Sequence, residues 1–178
     1  MIGRKQECGP LVEEYRRWHT PVIGAYLLYI FAKEYKKRYK EEHREERNPD
    51  FILMAIAATI LSNPELCAAI KGRRSLVTIK NNLKKRNRHA LLNSIHNSIK
   101  ETLPYTLAAL DIALHCGILL LHADNAEYEA LGIKTKRGSS AFISKTAKNG
   151  ESYANTIARL FAPFKDSVRV AQALEVSL

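Results

Sequence analysis

The chain has 178 residues, 46% of them hydrophobic and 26% charged, the balance of a folded globular chain with a substantial core rather than a disordered one. Its net charge of +10 and pI near 9.6 point to an anionic partner, either nucleic acid or an acidic protein face, or simply to solubility. Three cysteines, Cys8, Cys67 and Cys116, form no close pair, so reduced thiols in a cytoplasmic protein are expected rather than a disulfide framework.

Residues 1–20 read as an N-terminal segment in which Pro10 can open a short helix carrying Leu11, Val12, Tyr15 and Trp18. It has no apolar stretch of the signal-peptide kind. Thr20-Pro21 then starts a helix expected over residues 21–47, with Thr as cap and Pro at the first position. Its first half, PVIGAYLLYIFA, is apolar on nearly every side. Its second half, KEYKKRYKEEHREER, is charged and keeps only Tyr35 and Tyr39. Such a helix is expected to leave the core and project outward, with Tyr35 and Tyr39 as docking residues on a solvated strut.

Asn48-Pro49 ends that helix, and the uncharged run from Phe51 to Leu61 marks a helix buried all round. The apolar runs over 21–32 and 51–61 are too short to span a bilayer, so no membrane partner is expected. Ser62-Asn63-Pro64 breaks and restarts the chain, and Lys71-Gly72 stops it again. Ser75 can cap a helix through Asn87 with Leu76, Ile79 and Leu83 on its apolar face.

Residues 88–133 follow the grammar of a winged helix-turn-helix. A stripe of Leu91, Leu92, Ile95, Ile99 and Leu103 predicts one helix, Leu103-Pro104 a tight turn, and Leu107, Leu110 and Leu114 a second helix. Gly117 is placed to end it in a left-handed cap with Ile118 folding back. Ile118 to His122 and Glu127 to Ile133, joined through Ala123-Asp124-Asn125, predict a hairpin, or wing. The fold class is therefore mainly α: a compact helical core over residues 21–133 with a winged-helix-like centre and a small β-hairpin. Residues 134–150, rich in Lys, Ser, Thr and Gly, predict a flexible basic loop. Residues 151–178 predict a helix with Tyr153, Ile157, Leu160 and Phe161 inward, then a docking tail marked by Val168, Val170, Leu174 and Val176, which reads as helix or strand.

Charge is distributed in stripes. Residues 71–100 carry a local +9 with no acid, residues 101–133 a local −5 with no Lys or Arg, and residues 134–165 a local +6. A helix that reads bases needs Arg, Lys, Asn or Gln at its N-terminal end. Pro104-Tyr105-Thr106-Leu107-Ala108 offers none. Any DNA contact is expected instead from Arg73, Arg74, Lys80, Lys84, Lys85, Arg86 and Arg88, and from Lys134, Lys136 and Arg137. These residues suit non-specific, salt-sensitive binding to phosphates. An acidic protein surface would suit the same residues.

Catalytic candidates are weak. Glu34-Tyr35-Lys36 has the Glu-x-Lys spacing of some nucleases, but no preceding Asp shares a metal with it. His115-Cys116 and His122 lack a second pair at zinc spacing, so Cys116 is expected to be a small buried residue. Cys67 and His96 have no local partner signature. Gly132-Ile133-Lys134-Thr135 only faintly echoes a phosphate loop.

The runs TPVIGAYLLYIFAKEY, FILMAIAATIL, GRRSLVTIKNNLKK and LPYTLAALDIALHCGILLLHAD follow one another in a recognisable order, closed by NTIARLFAPF and DSVRVAQALEV. In that order they resemble the middle component of three-component ABC systems, the small accessory subunit of Lamassu-type bacterial defence complexes. The resemblance covers most of residues 18–176 and rests on segment order and apolar pattern. The long charged stretch over 33–47 and a final segment without a glycine-rich close depart from the usual pattern. The resemblance implies a non-catalytic subunit without a cofactor, joining an SMC-like ABC ATPase to a nuclease-type effector and possessing a route to double-stranded DNA. The alternative from another class is a free-standing winged-helix DNA-binding transcriptional regulator, which would form a homodimer and bind with sequence preference.

Overall fold

Proline and glycine punctuate the chain much as their backbone chemistry dictates. In the computed structural model, which describes residues 20–85, 89–132 and 145–176, helix α1 spans Pro21–His43 with its proline in the first turn, where a missing N–H costs nothing. Thr20 precedes it in extended backbone, but its side chain makes no cap bond. The helix stops short of the expected 47 because Arg44 turns left-handed (φ 60°) and donates its N–H to the Lys40 carbonyl. Asp50 opens α2 (Phe51–Ser62) by accepting from Leu53 N at 2.9 Å. Asn63 then opens α3 (Pro64–Ile70) by accepting from both Glu65 N and Leu66 N. The axis bends by 102° between α2 and α3. No single described helix is long and apolar enough to cross a membrane. Helix α4 spans Leu76–Lys85, with Ser75 Oγ accepting from Thr78 N at 3.5 Å.

The next element departs from expectation. Helix α5 runs unbroken over His89–His115 with Pro104 inside it, so the turn expected at Leu103-Pro104 is absent and one helix stands where two were predicted. Pro104 removes one donor, the N–H that would reach the Lys100 carbonyl, yet the helix continues through it. Ile95, on one side of the proline, and Ala109, Leu110 and Ala113, on the other, are all buried. Thr106 is fully buried too and donates its hydroxyl to the Thr102 carbonyl, while the Thr102 and Thr59 hydroxyls meet at 2.8 Å. The mutual support of α1 and α2 against α5 outweighs the local signal of the Leu-Pro step.

Gly117 ends α5 as expected, with φ +63°, its N–H on Leu114 O and the Ile118 N–H on Ala113 O, the double bond of a Schellman cap. Strands β1 (Leu119–His122) and β2 (Glu127–Ala130) pair antiparallel with Leu119 opposite Ala130 and His122 opposite Glu127. The hairpin thus stands where it was predicted. The linker between α1 and α2 runs along its second strand, through an Asp50–Glu127 bridge and Tyr128 N donating to Pro49 O at 2.8 Å.

Helix α6 spans Lys145–Phe161 and so begins inside the stretch expected to be loop. Gly150 falls mid-helix, where α6 meets α1 so closely that a Cβ there would sit 2.7 Å from Leu27 Cδ2. That contact gives the glycine a packing role rather than a breaking one. The tail settles as a helix, α7 (Ser167–Ala173), opened by Asp166 accepting from Arg169 N at 2.8 Å. The core forms where α1 packs against α5 and α6 while α2 packs against α5.

Candidate nucleic-acid and partner interfaces

The residues expected to dock partners are mostly spent in the core. Tyr35 and Tyr39 are 1% and 5% exposed, so α1 does not project as a strut. Phe31, Tyr35, Tyr39 and His43 stack down one face of α1 with centroid separations of 5.9, 5.7 and 4.3 Å, and Phe161 of α6 meets Phe31 edge-on. Polar handles along the ladder close on the turn after α6. Tyr39 Oη donates to Lys165 O at 3.3 Å, Arg47 reaches the same carbonyl, and His43 Nε2 meets Ala162 O at 2.9 Å. Burial pushes the Tyr35 hydroxyl well above the ordinary phenol range. The same holds for the tail: Val170, Leu174 and Val176 are buried, and only Val168, 49% exposed, keeps a free apolar surface. The sequence shows the apolar stripes but not that the 162–166 turn folds back over α1 to cover them. Leu107, Leu120 and Leu121 are the exposed leucines among the described residues; Leu107, expected on the apolar face with Leu110 and Leu114, turns outward instead.

Several cations of α1 and the linker after it are paired with acids on the hairpin, on α1 itself or on the linker. Lys36 Nζ lies 2.7 Å from Glu129 Oε1, and His122 Nε2 meets the other oxygen of that carboxylate at 3.0 Å. The Lys36 hydrogen bond, with His122 assisting, holds the Glu129 carboxyl below the ordinary carboxylate range and raises the Lys36 ammonium. Arg47 pairs with Glu127 at 3.4 Å, and Arg38 bridges Glu34 and Glu41. The acidic stripe over 101–133 is therefore partly an internal counter-charge for α1.

The basic segment is different. Arg73 is half-buried and Arg74 exposed in the link between α3 and α4. Lys80, Lys84 and Lys85 lie on α4, but their side chains fall outside the description. Arg86, Arg88, Lys134, Lys136 and Arg137 lie outside the described residues. Arg159, which the sequence did not single out, donates from Nη2 to Arg73 O at 3.1 Å and so joins that link from α6.

A family model of the ABC-three component (ABC-3C) system Middle Component 3 matches residues 9–178. The chain belongs to this family. No curated protein and no solved structure matches it. The resemblance carried by the order of apolar segments is thus borne out at the level of the middle component of a three-component ABC system.

In this middle component the sequence's catalytic candidates are engaged elsewhere. Glu34 is held by Arg38 at 2.7 Å and Lys36 by Glu129, so Glu34-Tyr35-Lys36 is an ion-paired helix face with a core tyrosine between. Cys67 is buried with its thiol on Ile60 O at 3.2 Å, and burial pushes it up to about 12, far from a nucleophile's range. Cys116 corrects its expectation, being exposed just beyond α5. His115 Nδ1 meets the carbonyl of Asp111 at 3.0 Å. Among the described residues no group of three or more His, Cys, Asp or Glu is placed to hold a metal ion.

Proposed function

We propose that this middle component is a non-catalytic accessory subunit joining an SMC-like ABC ATPase to a nuclease-type effector in a Lamassu-type bacterial defence complex in the cytoplasm. It adds a non-specific contact to double-stranded DNA. The observation that carries this reading is the family match over residues 9–178: a middle component acts beside other components, and Glu34, Lys36 and Cys67 of this chain are occupied in ion pairs and packing. Support for the DNA contact comes from the uneven neutralisation of charge, since Lys36 of α1 and Arg47 of the following linker have acidic partners on the hairpin while Arg73 and Arg74 have none among the described residues.

The regulator alternative lacks support. With α5 continuous through Pro104, no separate second helix is set off to enter a groove, and residues 104–115 carry no Lys or Arg.

Co-expression with the products of the two flanking genes, followed by affinity capture and size-exclusion chromatography, tests the proposal. A ternary complex is the expected result. A chain that stays monomeric in the presence of both neighbours sinks it.

A further inference from the structure

Four cationic residues cluster where α3 gives way to α4, and one of them is distant in sequence. Lys71 and Arg74 are exposed on either side of Gly72 and Arg73, with Gly72 turning the chain at φ +70°. Arg159, near the end of α6, crosses 86 positions of sequence to donate to the Arg73 carbonyl oxygen at 3.1 Å. The Nε of Arg73 is shielded from solvent and has no hydrogen-bond partner.

Among the described residues no carboxylate lies within ion-pair distance of these four. By contrast, Lys36 and Arg47 pair with hairpin acids and Arg38 with Glu34 of its own helix, all at 3.4 Å or less. Cations gathered without a counter-charge repel one another, and that repulsion is relieved only when an anion arrives. Three of the four are arginines, whose planar forks match phosphate oxygens.

The composition of the cluster narrows the anion. Residues 70–79 contain no aromatic side chain, so a platform for stacking the bases of a single strand is not provided for. A protein interface needs an apolar centre, and Val77 is the single exposed large apolar residue over 71–79. A duplex backbone, by contrast, asks only for spaced cations.

We infer that Arg159 completes, with Lys71, Arg73 and Arg74, a contact for the phosphate backbone of duplex DNA. The inference rests on the DNA-contact reading above and adds to it a residue of α6, outside the basic segment 71–100.

Fluorescence anisotropy of the full chain on a duplex of random sequence, across a salt series, tests it. Arg74→Gln, which removes an exposed side chain with no hydrogen bond or ion pair among the described residues, and Arg159→Gln should each weaken binding about five- to tenfold near 0.1 M salt. Each should also flatten the salt slope by about 0.9, the loss of one phosphate contact. Arg159→Lys should keep the slope. A triple charge reversal of Lys84, Lys85 and Arg86 to Glu serves as the reference. If both glutamine variants bind like the parent while the triple variant loses binding, the cluster is overturned and the broader DNA contact survives. If the parent binds no duplex, the DNA contact itself fails and the inference with it. An affinity loss confined to Arg159→Gln and matched by a lower Tm, with Arg74→Gln unchanged, overturns the inference as an effect on folding. A preference for single strands over duplex overturns it as well.

Discussion

Lys36 and Glu129 meet at 2.7 Å across 93 positions of sequence, fastening the middle of α1 to the second strand of the hairpin. Both side chains are about a third exposed or slightly less, so solvent screens the pair and its contribution should stay under about 1 kcal/mol. Its pH dependence has a definite sign. The Glu129 carboxyl is held below its ordinary value of 4.5 by Lys36 first and His122 second. A depressed carboxylate contributes stability above its unfolded value and loses that contribution as pH falls through the lower folded one. Glu129→Gln should therefore lower stability slightly at pH 7 and by progressively less below about pH 4.5, giving a shallower acid limb. Urea titrations from pH 7 to pH 3 read this directly, and parallel acid limbs would remove Glu129 as a contributor.

The approach of α1 to α5 is tightest at Gly24. A Cβ there would fall 2.5 Å from the Tyr105 hydroxyl oxygen, 2.8 Å from its Cζ and 3.1 Å from Ala109 Cβ. The ring is half-buried between α1 and α5, and burial pushes its hydroxyl up to about 12. Gly24→Ala should cost about 1–3 kcal/mol through overpacking, even though alanine is the better helix former. Gly150→Ala meets the branched end of the single buried side chain Leu27. There the gain in helix propensity, about 1 kcal/mol, offsets much of the clash, so the cost should be clearly smaller. Thermal melts of the two variants rank them, and an equal or reversed order contradicts this packing.

Pro104 offers a sharper test of the continuous α5. A proline in a helix interior costs about 3 kcal/mol relative to alanine, partly offset by up to about 1 kcal/mol from a stiffer unfolded chain. Pro104 is exposed, so its ring fills no buried space. Pro104→Ala should raise stability by about 1–3 kcal/mol in denaturant titration. Were Leu103-Pro104 a turn between two helices, the same change would remove a favourable first-turn proline and lower stability.

That residue also shows where sequence reasoning stops. Local signals located nearly every boundary they controlled: Pro21 at the start of α1, Asn63-Pro64 at the α2–α3 bend, Gly117 at the end of α5. Pro104 carries the same local signal, yet Thr106, Ala109 and Ala113, all fully buried, tie the following turns into a surface already shared with the preceding ones. Tertiary packing decided there, and no local pattern reports it. Tyr35 and Tyr39 failed for a related reason. Their charged surroundings read as an exposed arm, and only the fold-back of the turn after Phe161 reveals that the arm is roofed. The proposed DNA contact was legible as a run of cations from Lys71 to Lys100, but Arg159 meets Arg73 through a contact made in three dimensions, with no signal in its neighbourhood of sequence.

The docking question separates into a buried set and a surface residue. Tyr35 contacts Phe31 and Tyr39 in the ladder beneath the α6 terminus, so Tyr35→Ala should cost on the order of 3–5 kcal/mol. Any loss of partner capture should then track the loss of folded protein. Val168 is the exposed member of the tail's apolar set, and a surface exchange such as Val168→Lys should leave stability within about 0.5 kcal/mol. If α7 presents the docking edge of this middle component, Val168→Lys should reduce capture of the flanking-gene products at an unchanged Tm. Capture at parental level by Val168→Lys would move the docking surface away from α7, toward the exposed Leu120 and Leu121 of the hairpin. Measuring capture and Tm on the same preparations keeps the two effects apart, because a folding defect moves both readouts and a docking defect moves one.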